Sequence, residues 1–273
     1  MARRRALNIY PELDVEPLDL GLLALMASED IQQESILLPG LEALSLLKQQ
    51  IAPLVQGVDE TERVTQLVQA FYGELGFHGD WEHFFSLDNC LLERVMAKRS
   101  GIPVTLGVLI IYLARWLALP VEGICFPGHF MVRFGRGKQA RILDPFSGKF
   151  LSRAELSLRL RGCLGDLAQL QGQHLNQASQ AEILTRLLTV TKATAIQADE
   201  NLLALRCSEL LLCLDPDDPY EVRDRGLLYE QLECGQLAAD DISFFIEQCP
   251  HDPVTEMLKE QLARLDSSAP TLH

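Results

Sequence analysis

The sequence predicts an α+β fold, in which a mostly helical first domain carries a small antiparallel sheet and a second domain is entirely helical. Three observations lead to this prediction. Apolar residues recur at helical spacing before residue 120, polar and apolar residues alternate between 121 and 143, and only helical patterns follow residue 181. Since 273 residues are many for one domain, we place a first domain at 1–165, a polar, glutamine-rich linker at 166–180, a helical domain at 181–266 and a tail at 267–273.

Helices are expected at 18–27, 41–54, 59–73, 90–99 and 105–118. Asp59 and Glu62, three residues apart, resemble a capping box at the start of the third helix. Asn89 is expected to cap the fourth helix. The stretch 79–85 between the third and fourth helices is aromatic and turn-like.

Three strands are expected at 121–126, 129–134 and 140–143, separated by turns at Pro127-Gly128 and at 135–137. In the second strand His129, Met131 and Arg133 alternate with apolar residues, which is typical of a half-buried strand. Ser152 and Glu155 form a capping box for a short helix that ends near residue 160.

The last third of the chain contains a repeat. Segments at 204–219 and 238–253 align at a constant offset of 34 residues, so that Pro216 falls on Pro250 and Pro219 on Pro253. A period of 34 residues is that of helix-turn-helix tetratricopeptide repeats. Helices near 182–197, 200–214, 220–233, 237–248 and 254–265 are expected to form about two repeats and an extra helix. Such an array either binds a peptide in a concave groove or covers the first domain.

The composition excludes several classes of protein. The chain contains no apolar run of the ~18 residues that a membrane span needs, and acidic residues follow Arg3–Arg5 where a signal peptide is apolar. We therefore expect a cytoplasmic protein without a membrane partner. Its seven cysteines include no pair at metal or redox spacing, and no glycine-rich phosphate loop precedes a helix. We expect reduced thiols, no metal and no cofactor.

The charge is unevenly distributed along the chain. Residues 94–161 contain twelve lysine or arginine residues and three acidic ones, a net charge of +9, whereas residues 199–266 contain five and seventeen, a net charge of −12. The basic stretch includes Arg133, Arg136, Lys138 and Arg141 around a hairpin, which could contact phosphates. Because the whole chain is acidic, with a pI near 4.8, a nucleic-acid partner is not expected.

Several short motifs between residues 89 and 146 resemble a known family. They are Asn89, the Arg-Ser-Gly-Ile-Pro of 99–103, the Leu-Pro-Val of 119–121, the Pro-Gly-His-Phe of 127–130 and the Leu-Asp-Pro-Phe of 143–146. Together with the repeats, they resemble the SirB family of bacterial proteins from about residue 15 to 265. The first domain of that family is similar to the transglutaminase-like superfamily, which implies a papain-like fold.

The resemblance implies a candidate catalytic site. Enzymes of the superfamily use a cysteine at the start of a buried helix, where the helix dipole stabilises the thiolate. A histidine acts as the base and an aspartate orients it. His129 and Asp144 match the histidine and the aspartate, but the expected cysteine position, near 103–105, holds none.

Three explanations remain open for the missing cysteine. The domain is a non-catalytic relative, or Cys125 or Cys90 reaches His129 in space, or Thr105 replaces the cysteine. Thr105 is also a candidate N-cap, and the histidine and aspartate also have purely structural interpretations. Asp144 could form an Asx turn before Pro145, or Arg133 could pair with it.

Two functions follow from these alternatives. The preferred one is a scaffold or regulatory protein, with little or no catalytic activity, that binds a protein or peptide partner through residues 181–266. The alternative is a papain-like thiol hydrolase or acyltransferase on peptide or amide bonds. In it His129 is the base, Asp144 orients the base, and Cys125 is a displaced nucleophile.

Overall fold

The computed structural model describes residues 15–16 and 18–268, which form two compact units divided between Leu187 and Leu188. We call the described residues up to 187 the first unit and those from 188 the tail unit. The predicted domain boundaries at 165, 181 and 266 stay predictions. Arg3–Arg5 and most of the predicted tail lie outside the described residues.

The first unit contains the predicted helices and sheet, so the α+β prediction is confirmed. Its helices are α1 (Leu20–Gln32), α2 (Leu37–Ile51), α3 (Glu60–Gln69), α4 (Leu92–Lys98), α5 (Pro103–Trp116) and α6 (Arg153–Leu164). Helix α3 continues as a π-helical turn over Ala70–Glu74. Helix α5 is the centre of the unit, because its residues 103–114 are all buried.

Two small sheets accompany these helices. The strands are β1 (His78–Gly79), β2 (Ser100–Gly101), β3 (Val121–Ile124), β4 (Met131–Phe134), β5 (Arg141–Asp144) and β6 (Lys149–Leu151). Strands β1 and β2 pair in parallel, and β3 to β6 form an antiparallel sheet in chain order, with Val132 opposite Leu143. The predicted strands correspond to β3, β4 and β5. The other three have only two or three residues, too few for a periodic pattern.

The prediction that the second strand is half-buried is wrong. Met131 is fully buried in a cluster with Ile124, Leu156 and Leu160, so α6 covers one face of the sheet. Helix α5 lies on the other face, where a methyl group added to Gly107 would lie 2.5 Å from Phe130 Cε1. Because helices cover both faces, the strand does not expose one side to water.

The predicted helix starts are partly confirmed. Asp59 accepts a hydrogen bond from the Glu62 amide at 2.8 Å, and the box of Ser152 and Glu155 forms as predicted. The prediction for Asn89 is wrong, because α4 begins two residues later, after Leu91, and Asn89 is buried. The Asn89 side chain instead links a loop to the core, as described below.

The tail unit consists of the predicted helices. Helix α7 (Gln180–Gln197) begins in the first unit and continues into the tail unit, where it is followed by α8 (Asn201–Leu214), α9 (Pro219–Gln231), α10 (Gly235–Gln248) and α11 (Thr255–Ser268).

The 34-residue repeat is confirmed at the level of individual hydrogen bonds. The side chain of Asp218 accepts a bond from the amide two residues on at 2.9 Å, and Asp252 does the same at 3.0 Å. The helices before them end alike, with the Asp215 and Cys249 amides bonded to carbonyls four residues back. Sequence periodicity therefore corresponds to repeated local structure.

The two repeats differ in their interiors. Lys192, only 6% exposed, donates to Glu221 at 2.7 Å and to Asp224 at 2.9 Å. Thirty-four residues on, the positions of these two acids are occupied by Thr255 and Leu258, which are buried. The first repeat thus contains a buried charge cluster that the second lacks.

Candidate functional site

His129 lies in a tight turn between β3 and β4, not on the strand itself. Its amide donates to the Phe126 carbonyl at 2.9 Å, and Gly128 before it has a φ of 69°, which favours glycine. The His129 side chain is 13% exposed, and its Nε2 lies 3.0 Å from Oδ1 of Asp144. The two residues that the resemblance implies are therefore in contact.

Asp144, the last residue of β5, is 1% exposed and accepts four hydrogen bonds. Its Oδ1 accepts from His129 and from the Phe146 amide at 2.9 Å. Its Oδ2 accepts from the Ser147 hydroxyl at 2.7 Å and from Arg159 Nη2 at 2.6 Å. The bond to Phe146 is the Asx turn that the sequence left as one alternative, and it coexists with the histidine pair.

These contacts keep the Asp144 carboxylate ionised. Burial alone would raise its pKa, but the hydrogen bond and charge of His129, the Ser147 hydroxyl and the charge of Arg159 outweigh burial and hold the pKa well below its usual range. An ionised carboxylate can only accept, so Nε2 of His129 carries the hydrogen that it donates to Asp144. Nδ1 is then the nitrogen that can take a proton, and no described residue hydrogen-bonds to it.

Arg159 is a site residue that the sequence analysis missed. It lies on α6, and the alternative of Arg133 pairing with Asp144 is wrong. Arg133 Nε instead donates to Glu122 on the neighbouring strand β3 at 2.7 Å. Arg133 and Glu122 are opposite each other in the β3–β4 register, which gives this pair its geometry. No local pattern marks Arg159, because its contact depends on where α6 crosses the sheet.

Cys125 does not hydrogen-bond to His129. Its sulfur lies 3.7 Å from the Glu182 carbonyl on α7. Cys125 is exposed at the surface, but its surroundings still desolvate the thiol and raise its pKa to about 11. The positive charge of Arg186 lowers the pKa by less than desolvation raises it. A thiol with this pKa is almost entirely protonated at neutral pH, so it is a weak nucleophile.

The other two candidate nucleophiles are buried. Cys90 lies just before α4 and is inaccessible to solvent. The Thr105 hydroxyl donates to the Asn89 carbonyl at 2.9 Å and accepts from the Ile102 amide at 3.1 Å. The N-cap of α5 is Ile102, so the prediction that Thr105 is the cap is wrong. Backbone groups at the start of α5 hold its hydroxyl in place.

Cys163, a thiol that the sequence analysis did not consider, lies beside the His129 turn. A methyl group placed on Gly128 would lie 2.8 Å from Cys163 Sγ, so the sulfur packs against the residue that precedes His129. Cys163 is exposed and follows Arg159 by one turn of α6, on the same helix face. It lies at the C-terminal end of the helix, however, where the dipole opposes a thiolate.

The start of α5 meets the site as the resemblance implies. A methyl group on Gly107 would approach Phe130 and lie 3.4 Å from Pro145 Cγ. These two residues follow His129 and Asp144 directly. The fold thus brings the helix start, the histidine and the aspartate into one region, with Thr105 where a cysteine would be expected.

Two kinds of feature are absent from the residues that the structure describes. Across residues 15–16 and 18–268, no group of three or more histidine, cysteine or acidic side chains is arranged to hold a metal ion. In the same part of the chain, no helix has both the length and the apolar character that a membrane crossing requires.

Comparison with known proteins covers nearly the whole chain. Residues 40–189 match the transglutaminase-like superfamily, and residues 191–263 match the tetratricopeptide repeat. A UPF0162 protein of Vibrio cholerae is 40% identical over 270 residues, 98% of this chain and 100% of the relative. Protein SirB1 of Salmonella typhimurium is 36% identical over 84% of this chain and 85% of its own length. UPF0162 protein YchA of Escherichia coli is 35% identical over 90% and 89%. No solved structure matches.

Proposed function

This chain belongs to the family of SirB1 and the UPF0162 proteins, and from that membership we propose that it is a cytoplasmic scaffold with little or no catalytic activity. In this proposal the tetratricopeptide-like tail binds a protein or peptide partner. The His129–Asp144 pair then serves to hold the end of β5 and the turn before β4 in place.

The observation that carries this proposal is the absence of a usable thiol at the start of α5. Thr105 occupies that region, and backbone groups of Asn89 and Ile102 hold its hydroxyl. Cys125 contacts α7 and has a pKa of about 11. Neither Thr105 nor Cys125 hydrogen-bonds to His129, so neither of these two candidates supplies the nucleophile that the imidazole would activate.

The charge of the tail indicates the chemistry of its partner. Residues 199–266 have a net charge of −12, and repeat arrays commonly bind extended segments along a concave surface. Complementary charge speeds association and disfavours acidic partners. We therefore expect the bound segment to be basic.

The test uses the full-length chain as bait in a cell extract. One variant neutralises three exposed acids of the tail, as Asp217→Asn, Glu233→Gln and Glu247→Gln. The matched control neutralises three exposed acids of the first unit, as Glu34→Gln, Glu42→Gln and Glu74→Gln. We expect a captured protein to be weakened by the tail variant, retained by the control and released by high salt. Capture that is equal with both variants would argue against a tail-bound partner.

One observation favours a second candidate function, a thiol hydrolase or acyltransferase on amide bonds. Cys163 Sγ packs against Gly128, beside His129. In this candidate Nδ1 of His129 takes the thiol proton, and the sulfur attacks the amide carbon. The amine leaves with the proton that His129 returns, and water or a second amine then cleaves the thioester. The helix C-terminus opposes the thiolate, so we rank this candidate second.

Alkylation of the native protein, with each modified cysteine identified by mass spectrometry, separates the two functions. The scaffold proposal expects Cys163 to react no faster than other exposed thiols of the chain at every pH tested. The enzyme candidate expects rapid reaction of Cys163 below pH 7 that His129→Ala abolishes, while Cys234, also exposed, serves as the internal reference. Rapid reaction of Cys125 instead would support the alternative from the sequence analysis, in which Cys125 is the nucleophile.

A further inference from the structure

The loop between β1 and the helical turn at Leu87–Asn89 exposes large aromatic side chains. Trp81 is 74% exposed and Phe85 is 57% exposed. The loop is the aromatic stretch that the sequence analysis singled out, and neither the His129 site nor the tail uses it. Exposed apolar patches on a surface commonly mark a site of interaction.

The loop is held firmly from beneath. The buried Asn89 side chain donates to Asp80 Oδ2 at 3.1 Å and to the His83 carbonyl at 2.7 Å, and it accepts from Ser100 Oγ at 3.2 Å. Asp80 Oδ1 in turn accepts from the amide of His83 at 2.9 Å. These bonds fix the backbone that carries the rings. The exposed rings therefore belong to an ordered loop.

The rings form a continuous surface. Trp81 packs edge-on against Phe146, with centroids 4.4 Å apart, and Phe84 lies 5.6 Å from Phe146 and 5.1 Å from Phe85. Phe146 is buried and anchors the group, while much of Trp81 faces solvent. Rigidly held tryptophan and other aromatic side chains are typical centres of binding energy at interfaces.

The loop also carries a carboxylate, on the residue that follows Trp81 in the chain. Glu82 is exposed, and no described cation forms an ion pair with it. Arg94 and Lys98, two cations of helix α4, are both paired with Asp88. An aromatic face beside an unpaired carboxylate attracts a cation through both the ring quadrupole and the opposite charge.

We propose that the loop at 80–86 is a docking site for a peptide segment of a partner protein, in which lysine or arginine alternates with apolar residues. The apolar side chains cover the rings of Trp81 and Phe85, and the cation lies between the Trp81 ring and Glu82. This site lies in the first unit, and it is independent of the partner proposed for the tail.

The test uses fluorescence, because the chain has two tryptophans, Trp81 and Trp116. In the full-length Trp116→Phe variant, Trp81 is the sole tryptophan, so its emission reports on the surroundings of the loop at 80–86. We expect its emission to shift to shorter wavelength on titration with acetyl-Lys-Leu-Lys-Leu-Lys-amide. We expect Phe85→Ala to weaken this binding about tenfold and Glu82→Gln about threefold.

The control variant is Leu158→Ala, which removes an exposed apolar side chain elsewhere in the first unit and should leave the peptide affinity unchanged. All three changed side chains are exposed, so circular dichroism should show the same fold. The proposal is overturned if Trp81 emission stays constant at millimolar peptide, or if acetyl-Glu-Leu-Glu-Leu-Glu-amide shifts it equally. A shift on raising the protein concentration alone would also overturn it, because a second copy of the chain would then be the occupant.

Discussion

At the scale of the residue, the ionised Asp144 carboxylate is expected to make the stability of the fold depend on pH. Its pKa is lowered from the ordinary 3.8, so its carboxylate stabilises the fold above that value, and the contribution is lost as the pH falls below it. Asp144→Asn cannot accept the same charged bonds, and we expect it to reduce the free energy of unfolding by about 3 kcal/mol at pH 7.

Urea denaturation of the variant and the parent between pH 7 and pH 3 measures this effect. The difference between the two should shrink as the pH falls below ~4. A difference that stays constant across this range would mean that the Asp144 charge does not contribute to stability, and that shape alone explains the loss.

The sequence indicates some residues of the candidate site but not others. His129 and Asp144 each lie in a short motif with a chemical meaning, and the structure brings the two side chains into contact. Arg159 and Cys163 lie in no such motif, because both approach His129 and Asp144 from α6, and no sequence pattern gives the position of that helix over the sheet. The contact between Asn89 and the loop at 80–86 was missed for the same reason, and Asn89 was assigned to a local cap.

At the scale of the element, the aspartates that precede α9 and α11 form a matched pair. Asp218→Ala and Asp252→Ala each remove a bond to the amide two residues on, and we expect a loss of about 1 kcal/mol for each. Asp252 also accepts from the Tyr220 hydroxyl at 3.1 Å, so its replacement should cost slightly more.

Urea denaturation followed by circular dichroism checks this prediction. The exposed Asp217 lies one residue before the first cap, and Asp217→Ala is the control that should change stability by less than about 0.5 kcal/mol. If Asp217→Ala were as destabilising as Asp218→Ala, the charge of the loop and not the cap would be responsible.

Elements were predicted best where their pattern is long. All five helices of the tail agree with the sequence prediction to within a few residues, because each repeats its apolar spacing over several turns. Strands β1, β2 and β6 are too short to show alternation. Strand β4 was assigned the wrong exposure because α6 covers the face that the pattern left to solvent.

At the scale of the whole molecule, the acidic tail is expected to make thermal stability depend on the salt concentration. The tail concentrates a net charge of −12 in residues 199–266, which repel one another in the folded state. Its buried pairs, such as Lys192 with Glu221, are screened much less than exposed charges. We therefore expect added sodium chloride to raise the thermal midpoint by roughly 3 °C.

Thermal unfolding at low and at high sodium chloride, followed by circular dichroism, measures this shift. A variant with the three neutral tail residues named above should start from a higher midpoint and gain less from salt. A midpoint that falls with salt would show that the ion pairs outweigh the repulsion.

The 34-residue spacing of the caps also bears on how the gene can change in length. Removing the codons for 216–249 would join Asp215 to Pro250 and recreate the Asp-Pro junction and its capping aspartate, now Asp252. The deletion would nevertheless take away Glu221 and Asp224 and leave Lys192 as a buried cation facing Thr255 and Leu258. A duplication of the same codons leaves that cluster intact. We therefore expect the fold to tolerate an added repeat better than the loss of one.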